Sequence, residues 1–187
     1  MKLMDINKTS HNFLHTFCIR PAFHFQTQAD GEEVILVVRG HPITQIWWLI
    51  NSVILLTVLL VADYFFSMLL NPFQSLFTYI FSFIMVGAYV WLNILIWFFN
   101  VGIITNKRVV DIDFQGVIYK EITEARLERI QDITVKAGGF AESFFNFGNI
   151  FIQTAGTEAN IEYGDVPYPD TIIKIIHQLT EQKQNNQ

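Results

Sequence analysis

What this 187-residue chain lacks is charge in its first half. No Asp, Glu, Lys or Arg occurs from Pro42 to Ala62, and after Asp63 the next charged residue is Lys107. Charged residues make up only 16% of the chain, against about 25% in an ordinary soluble domain. Cysteine is almost absent as well. Cys18 stands alone, which excludes an intrachain disulfide framework. Basic residues are few, 12 against 17 acidic, and the net charge of −5 argues against nucleic acid, whose binding needs a basic footprint. The N-terminus has no continuous apolar run after its lysines, so a cleavable signal peptide is not expected.

The uncharged region is instead rich in large apolar residues. A bilayer core of about 30 Å needs roughly 20 apolar helical residues to cross it. Residues 46–70 and 73–99 each meet this requirement. Between them lies Asn71-Pro72, a turn signal at which proline interrupts any continuous helix. Trp47 and Trp48 open the first stretch and Trp97, Phe98 and Phe99 close the second. These are interfacial aromatics at one face of a membrane. The loop around Asn71 carries no Lys or Arg, whereas Arg39 precedes the hairpin and Lys107 and Arg108 follow it. The positive-inside rule then predicts a multi-pass protein of the cell membrane with both termini cytoplasmic.

Asp63 is the one charge inside a span. Intramembrane carboxylates mark ion or proton sites. The plainer reading is a residue in the outer turns of the first helix that reaches the interface or stays protonated, since neither span holds a second charged residue to partner it. Gly87 and Ala88 in the second span offer a small-residue surface for close helix packing.

Before the hairpin, residues 1–31 are polar and aromatic by turns. Phe13, Leu14, Phe17 and Cys18 recur at helical spacing up to Pro21, which predicts either a short helix on the membrane or domain surface, or a loosely ordered terminus. His11, His15, Cys18 and His24 are possible zinc ligands by type, but without a cysteine pair or a Glu-assisted histidine pair they are read as incidental, and no metal or other cofactor is expected. Residues 32–45 contain Glu-Val-Ile-Leu-Val-Val-Arg, a strand or a juxtamembrane lead-in that Pro42 ends.

After Asn100 the pattern turns to short alternating runs with turn residues between them. Strands are expected at 101–105, 108–114, 117–122, 130–135, 149–154 and 161–166, and one or two helical turns at 140–147. After Pro167 and Pro169, Asp170 or Thr171 is expected to cap a closing helix whose stripe is Ile172, Ile173, Ile175, Ile176 and Leu179. His177 is expected to be a partly exposed residue of that helix. The fold class is therefore α+β. A two-helix transmembrane hairpin (46–99) is followed by a β-barrel or sandwich of about seven strands with a closing C-terminal helix (100–180). A polar, disordered tail (181–187) follows.

Several motifs sharpen this. Thr105-Asn106-Lys107-Arg108, Arg129-Ile130-Gln131-Asp132-Ile133 with Gly138-Gly139, Phe147-Gly148-Asn149-Ile150 running into Gln153-Thr154-Ala155-Gly156, and Val166-Pro167-Tyr168-Pro169 stand in this order. Together with Gly31-Glu32-Glu33-Val34 ahead of the hairpin, they resemble the bacterial pleckstrin-homology (PH)-like family called YdbS-like, over about residues 31–180. The aromatic-rich N-terminus and Phe144-Phe145 depart from its pattern. The resemblance implies a PH-like domain behind two membrane helices. PH folds often bind lipid headgroups through basic residues of their first strand turn, which here holds Lys107 and Arg108, with Arg126 and Arg129 as further candidates. Basic residues near an anionic surface gain about 1 kcal/mol each without any specific site. The C-terminal part is itself acidic, with 8 Lys and Arg against 12 Asp and Glu from Val101 onward.

No catalytic constellation is legible. The expected function is a non-enzymatic, membrane-anchored interaction or scaffold module, or a lipid-headgroup-binding one, with membrane lipids and a protein partner or second copy as ligands. The alternative is a small oligomeric transport or channel component whose hairpins assemble around Asp63.

Overall fold

The computed structural model describes residues 16–21, 28–116, 119–155 and 160–185. The chain divides into two compact units. One runs from Pro42 to Trp97; the other is built from the chain up to His41 and from Phe98 onward.

The first unit is a pair of helices, α1 (Ile46–Ser67) and α2 (Pro72–Phe99), both long and apolar enough to cross a membrane. A short 3-10 turn, Pro42–Gln45, leads into α1. The helix ends at Ser67 rather than at residue 70, because the N–H groups of Met68 and Leu69 fold back onto the carbonyls of Phe65 and Phe66 in a tightened last turn. Pro72 opens α2, where its missing N–H costs nothing. Gln74 reaches back to accept from the Asn71 N–H at 3.1 Å, half of a capping box.

The second unit contains eight strands and two helices among the described residues. One sheet is antiparallel in the order β1 (Phe17–Ile19), β2 (Val34–Val38), β3 (Val101–Thr105), β4 (Arg108–Gln115) and β5 (Tyr119–Arg126). The other is β6 (Ile130–Lys136), β7 (Phe147–Thr154) and β8 (Ile161–Pro167), also antiparallel. Helix α3 (Phe140–Phe145) bridges β6 and β7, and α4 (Pro169–Asn185) follows β8.

Several expectations are corrected here. The sheets do not close into a barrel, and the described residues form eight strands rather than about seven. The turn Leu127–Arg129 carries the chain from one sheet to the other, so β5 and β6 form no ladder. The additional strand is β1. Phe17 and Cys18, read at helical spacing, are extended instead, because β2 offers an open edge and Phe17–Ile19 pair with it in register Phe17↔Val38. A pairing partner 20 residues downstream outweighs a local period. Finally, α4 starts at Pro169, whose fixed φ suits the first helical position, so neither Asp170 nor Thr171 is the cap. The helix also continues past Thr180, up to Asn185.

The core lies between the two sheets under α4. Leu36, Ile104, Leu127, Ile150, Ile152, Ile161, Ile172 and Ile176 are fully buried there. The stripe expected for the closing helix supplies Ile172, Ile175 and Ile176 to it. On the opposite face of the five-stranded sheet, Cys18, Val34, Val37, Ile103 and Val110 form a second buried cluster, so β2 is buried on both faces. Gly102 is required by packing. A β-carbon there would lie 2.4 Å from Cε1 of Tyr163, whose hydroxyl donates to the Val110 carbonyl at 2.9 Å.

Candidate functional site

The register of β2 and β3 gives the second unit two distinct ends. Val38 pairs with Gly102 and Val34 with Thr105, so both strands run between the same two ends. At one end the chain leaves toward α1 after His41 and returns from α2 at Phe98. At the other end lie Gly31–Glu33 and the turn Asn106-Lys107. The five residues of β3 separate these ends by about 16 Å.

At the far end the motif residues lock together. Asn106 Oδ1 accepts from the Glu33 N–H at 3.0 Å and its Nδ2 donates to the Gly31 carbonyl at 3.1 Å. Arg108 grips Glu32 in bidentate fashion, Nε to Oε1 at 3.0 Å and Nη2 to Oε2 at 3.1 Å. Its Nη1 bonds Glu124 at 2.6 Å. Glu32 is buried, and its carboxylate also accepts from the Thr105 hydroxyl and the Ala29 N–H, both at 2.8 Å. Burial pulls the Glu32 carboxyl upward, but the bonds from Arg108, Ala29 and Thr105, with the Arg108 charge, hold it below its ordinary value. The hydrogen bonds that Arg108 donates to Glu32 outweigh burial and raise Arg108 further.

Of the four candidate basic residues, Arg108 is thus committed to two carboxylates. Lys107 is half-exposed, its Nζ on the Asp30 carbonyl at 2.6 Å. Arg126 is exposed and stands opposite Arg108 across β4 and β5, and the Leu127 N–H donates to the Lys107 carbonyl at 3.1 Å. Arg129 is exposed in the turn that follows. The structure therefore brings Lys107, Arg108 and Arg126 to one end of the unit, mixed with acidic groups and remote from the residues that join the helix pair.

The joining end is aromatic. The Arg39 guanidinium lies 4.6 Å from the Phe98 ring centroid. Phe99 packs against Phe114 at 5.6 Å, and Asn100 binds both Asp113 and the Phe114 N–H. His41 stacks on Phe147 at 5.4 Å, lies 6.3 Å from Phe145, and donates its N–H to the Asp165 carbonyl at 2.7 Å. Burial lowers His41 and raises Asp165. Near this end Asp111 faces the space between the sheets. Burial, then the charges of Asp113, Glu121 and Glu162, push its carboxyl up to about 7. Asp111 alternates with Val109 along β4 and so shares its face, a pattern that carries no sign of the carboxylates gathered from β5 and β8.

In the helix pair, Asp63 is buried and accepts from the Ser82 hydroxyl at 2.8 Å. It faces its own hairpin partner rather than outward. Ser82 carries no charge that would mark it as a partner; its signal in the sequence is position, since residues 63 and 82 lie nearly equidistant from the Asn71-Pro72 turn, where antiparallel helices bring them level. The metal candidates His11, His15 and His24 lie outside the described residues. Cys18 sits in the second apolar cluster, its thiol raised by burial. Among the described residues no group of three or more His, Cys, Asp or Glu is placed to hold a metal. His177 is exposed on α4.

A family model described as "Bacterial PH domain" matches residues 45–180. Among solved structures, one similar chain is a DUF1696 family protein with a pleckstrin-homology domain from Shewanella loihica PV-4, known from a crystal structure. It is 20% identical over 43% of this chain and 70% of that one, with a TM-score of 0.35. No curated protein matches.

Proposed function

Because the chain belongs to the bacterial PH domain family, we propose that it is a membrane-anchored, non-enzymatic binding module. In this reading α1 and α2 cross the bilayer as a hairpin. The PH-like unit lies on the cytoplasmic side and presents its far end, around Lys107, Arg126 and Arg129, to a protein partner or a second copy. The observation that carries it is the pairing of β2 with β3: neighbouring strands run to the two residues where the chain departs for α1 and returns from α2, and the other end of the unit lies a strand length from both junctions. Lys and Arg flank the hairpin but are missing around Asn71, which supports the cytoplasmic side. The commitment of Arg108 to Glu32 and Glu124 favours a protein ligand over a lipid headgroup.

The test uses the full chain in a Cys18→Ala background with single cysteines at Gln74 or Lys183. In intact cells stripped of their outer wall, an impermeant maleimide is expected to label Gln74→Cys and to spare Lys183→Cys, and alkaline carbonate is expected to leave the chain in the membrane pellet. Release by carbonate, or the reverse labelling, overturns the anchored reading. A photo-reactive residue at Arg126 is expected to give a discrete protein adduct in the same cells. Adducts with lipid alone would instead assign the far end to the membrane surface.

A further inference from the structure

We propose that α3 is an interfacial wedge, with Phe140 and Phe144 entering the lipid interface beside the point where the chain enters the membrane. This rests on the membrane-anchored reading and adds a second, non-covalent point of attachment.

Four observations carry it. Phe140 and Phe144 are 86% and 70% exposed, the highest values among the described large apolar side chains of the PH-like unit. Their rings stack at 5.9 Å and 17°, so they present one continuous apolar face rather than two scattered side chains. Their position is fixed at the joining end. Phe144 meets Phe145 edge-on at 5.0 Å, and Phe145 lies 6.3 Å from His41, one residue before the turn into α1. The helix is seated by the Tyr168 N–H on the Asn146 carbonyl at 2.9 Å, with Asn146 in a left-handed conformation.

The charge pattern agrees. Glu142 is the one charged residue of α3, and its carboxylate turns back to accept from the Gly138 N–H, away from the task of solvating the ring face. Gly139, at φ 139°, opens the helix in a conformation that L side chains rarely adopt. Helix α3 itself carries no Lys or Arg, so attraction to anionic headgroups cannot hold it to a membrane. Burial of aromatic surface at the interface can. A second copy is the weaker occupant. Two phenylalanines offer roughly 400 Å², about half of what each partner contributes to a standard stable interface.

The test uses the full chain, Cys18→Ala, in nanodiscs of phosphatidylcholine, with single nitroxide labels at Phe140→Cys, Phe144→Cys, Phe81→Cys in α2 and Lys183→Cys in α4. Collision with oxygen is compared with collision with a water-soluble nickel chelate. The labels at 140 and 144 are expected to favour oxygen several-fold, as Phe81→Cys does, and to keep that ratio in 1 M salt, while Lys183→Cys favours nickel. If 140 and 144 behave like Lys183→Cys while Phe81→Cys stays oxygen-rich, the wedge is overturned and the hairpin stands. If Phe81→Cys itself favours nickel, the hairpin reading fails and the wedge with it. Dipolar broadening between labels at 144 would place a second copy there and overturn the proposal, as would loss of the oxygen preference in high salt.

Discussion

Glu32 and Arg108 illustrate how one residue's environment decides its role. A fully buried carboxylate costs several kcal/mol unless its lone pairs are filled, and here four donors fill them. Replacing Arg108 with alanine strands that charge and is expected to cost about 3–5 kcal/mol. The pair Glu32→Leu with Arg108→Met is expected to recover much of that loss, because matched apolar groups avoid the desolvation. Chemical denaturation in mild detergent, followed by a double-mutant cycle, checks both. Asp111 is strained in the opposite sense. Its carboxyl is held near 7 in the folded unit against an ordinary 3.8, so the folded state keeps a proton that the unfolded chain has released. Its contribution therefore worsens as pH rises from about 4 to about 7 and is constant above that. Asp111→Asn is expected to stabilise the unit by on the order of 1–2 kcal/mol at pH 8, discounted for partial solvation, and by little at pH 4. Thermal midpoints of the two proteins across that range would show the divergence; parallel curves would contradict it.

At the scale of elements, the strongest signals in the sequence were those that repeat over many residues. The two apolar stretches, the alternating strands β4 and β6, and the isoleucine stripe of α4 each carry their own period, and each is legible without knowledge of its neighbours. What was not legible depends on partners distant in sequence. Strand β1 exists because β2 has an open edge, and the separation into two sheets depends on a three-residue turn after Arg126 that no hydrophobic period marks. The candidate basic residues were identifiable by type, but the burial of Arg108 against Glu32 crosses 76 positions of sequence. Within the hairpin, Asp63 and Ser82 form a buried polar contact between helices whose other facing residues include Ser52 and Val86. Such contacts contribute about 0.6–2 kcal/mol in membranes. Ser82→Ala is expected to loosen the hairpin by that amount, read as lower resistance to denaturing detergent, whereas Asp63→Asn, which can still accept from Ser82, is expected to change it less.

At the scale of the whole molecule, the PH-like unit is interrupted by 56 residues, Pro42–Trp97, yet its own sheet is continuous across the interruption. The flanks of β2 and β3 meet at one end, so a short Gly/Ser linker joining His41 to Phe98 is expected to yield a folded domain without the helix pair. A fragment beginning at Asn100 lacks β2 and uncovers the apolar faces that Leu36, Val37 and Val38 fill, and is expected to aggregate. Dispersed amide resonances in the first and their absence in the second would confirm the dependence. The same pairing has a consequence during synthesis. Strand β2 leaves the ribosome before the hairpin and β3 after it, so β2 must wait for its neighbour until both helices have been made. On the membrane-anchored reading proposed above, a chain whose α2 failed to return through the bilayer would leave the two strands on opposite sides, and the sheet could not assemble. Completion of the domain would then proofread insertion: on that reading only a chain with the correct number of crossings acquires a protease-resistant fold.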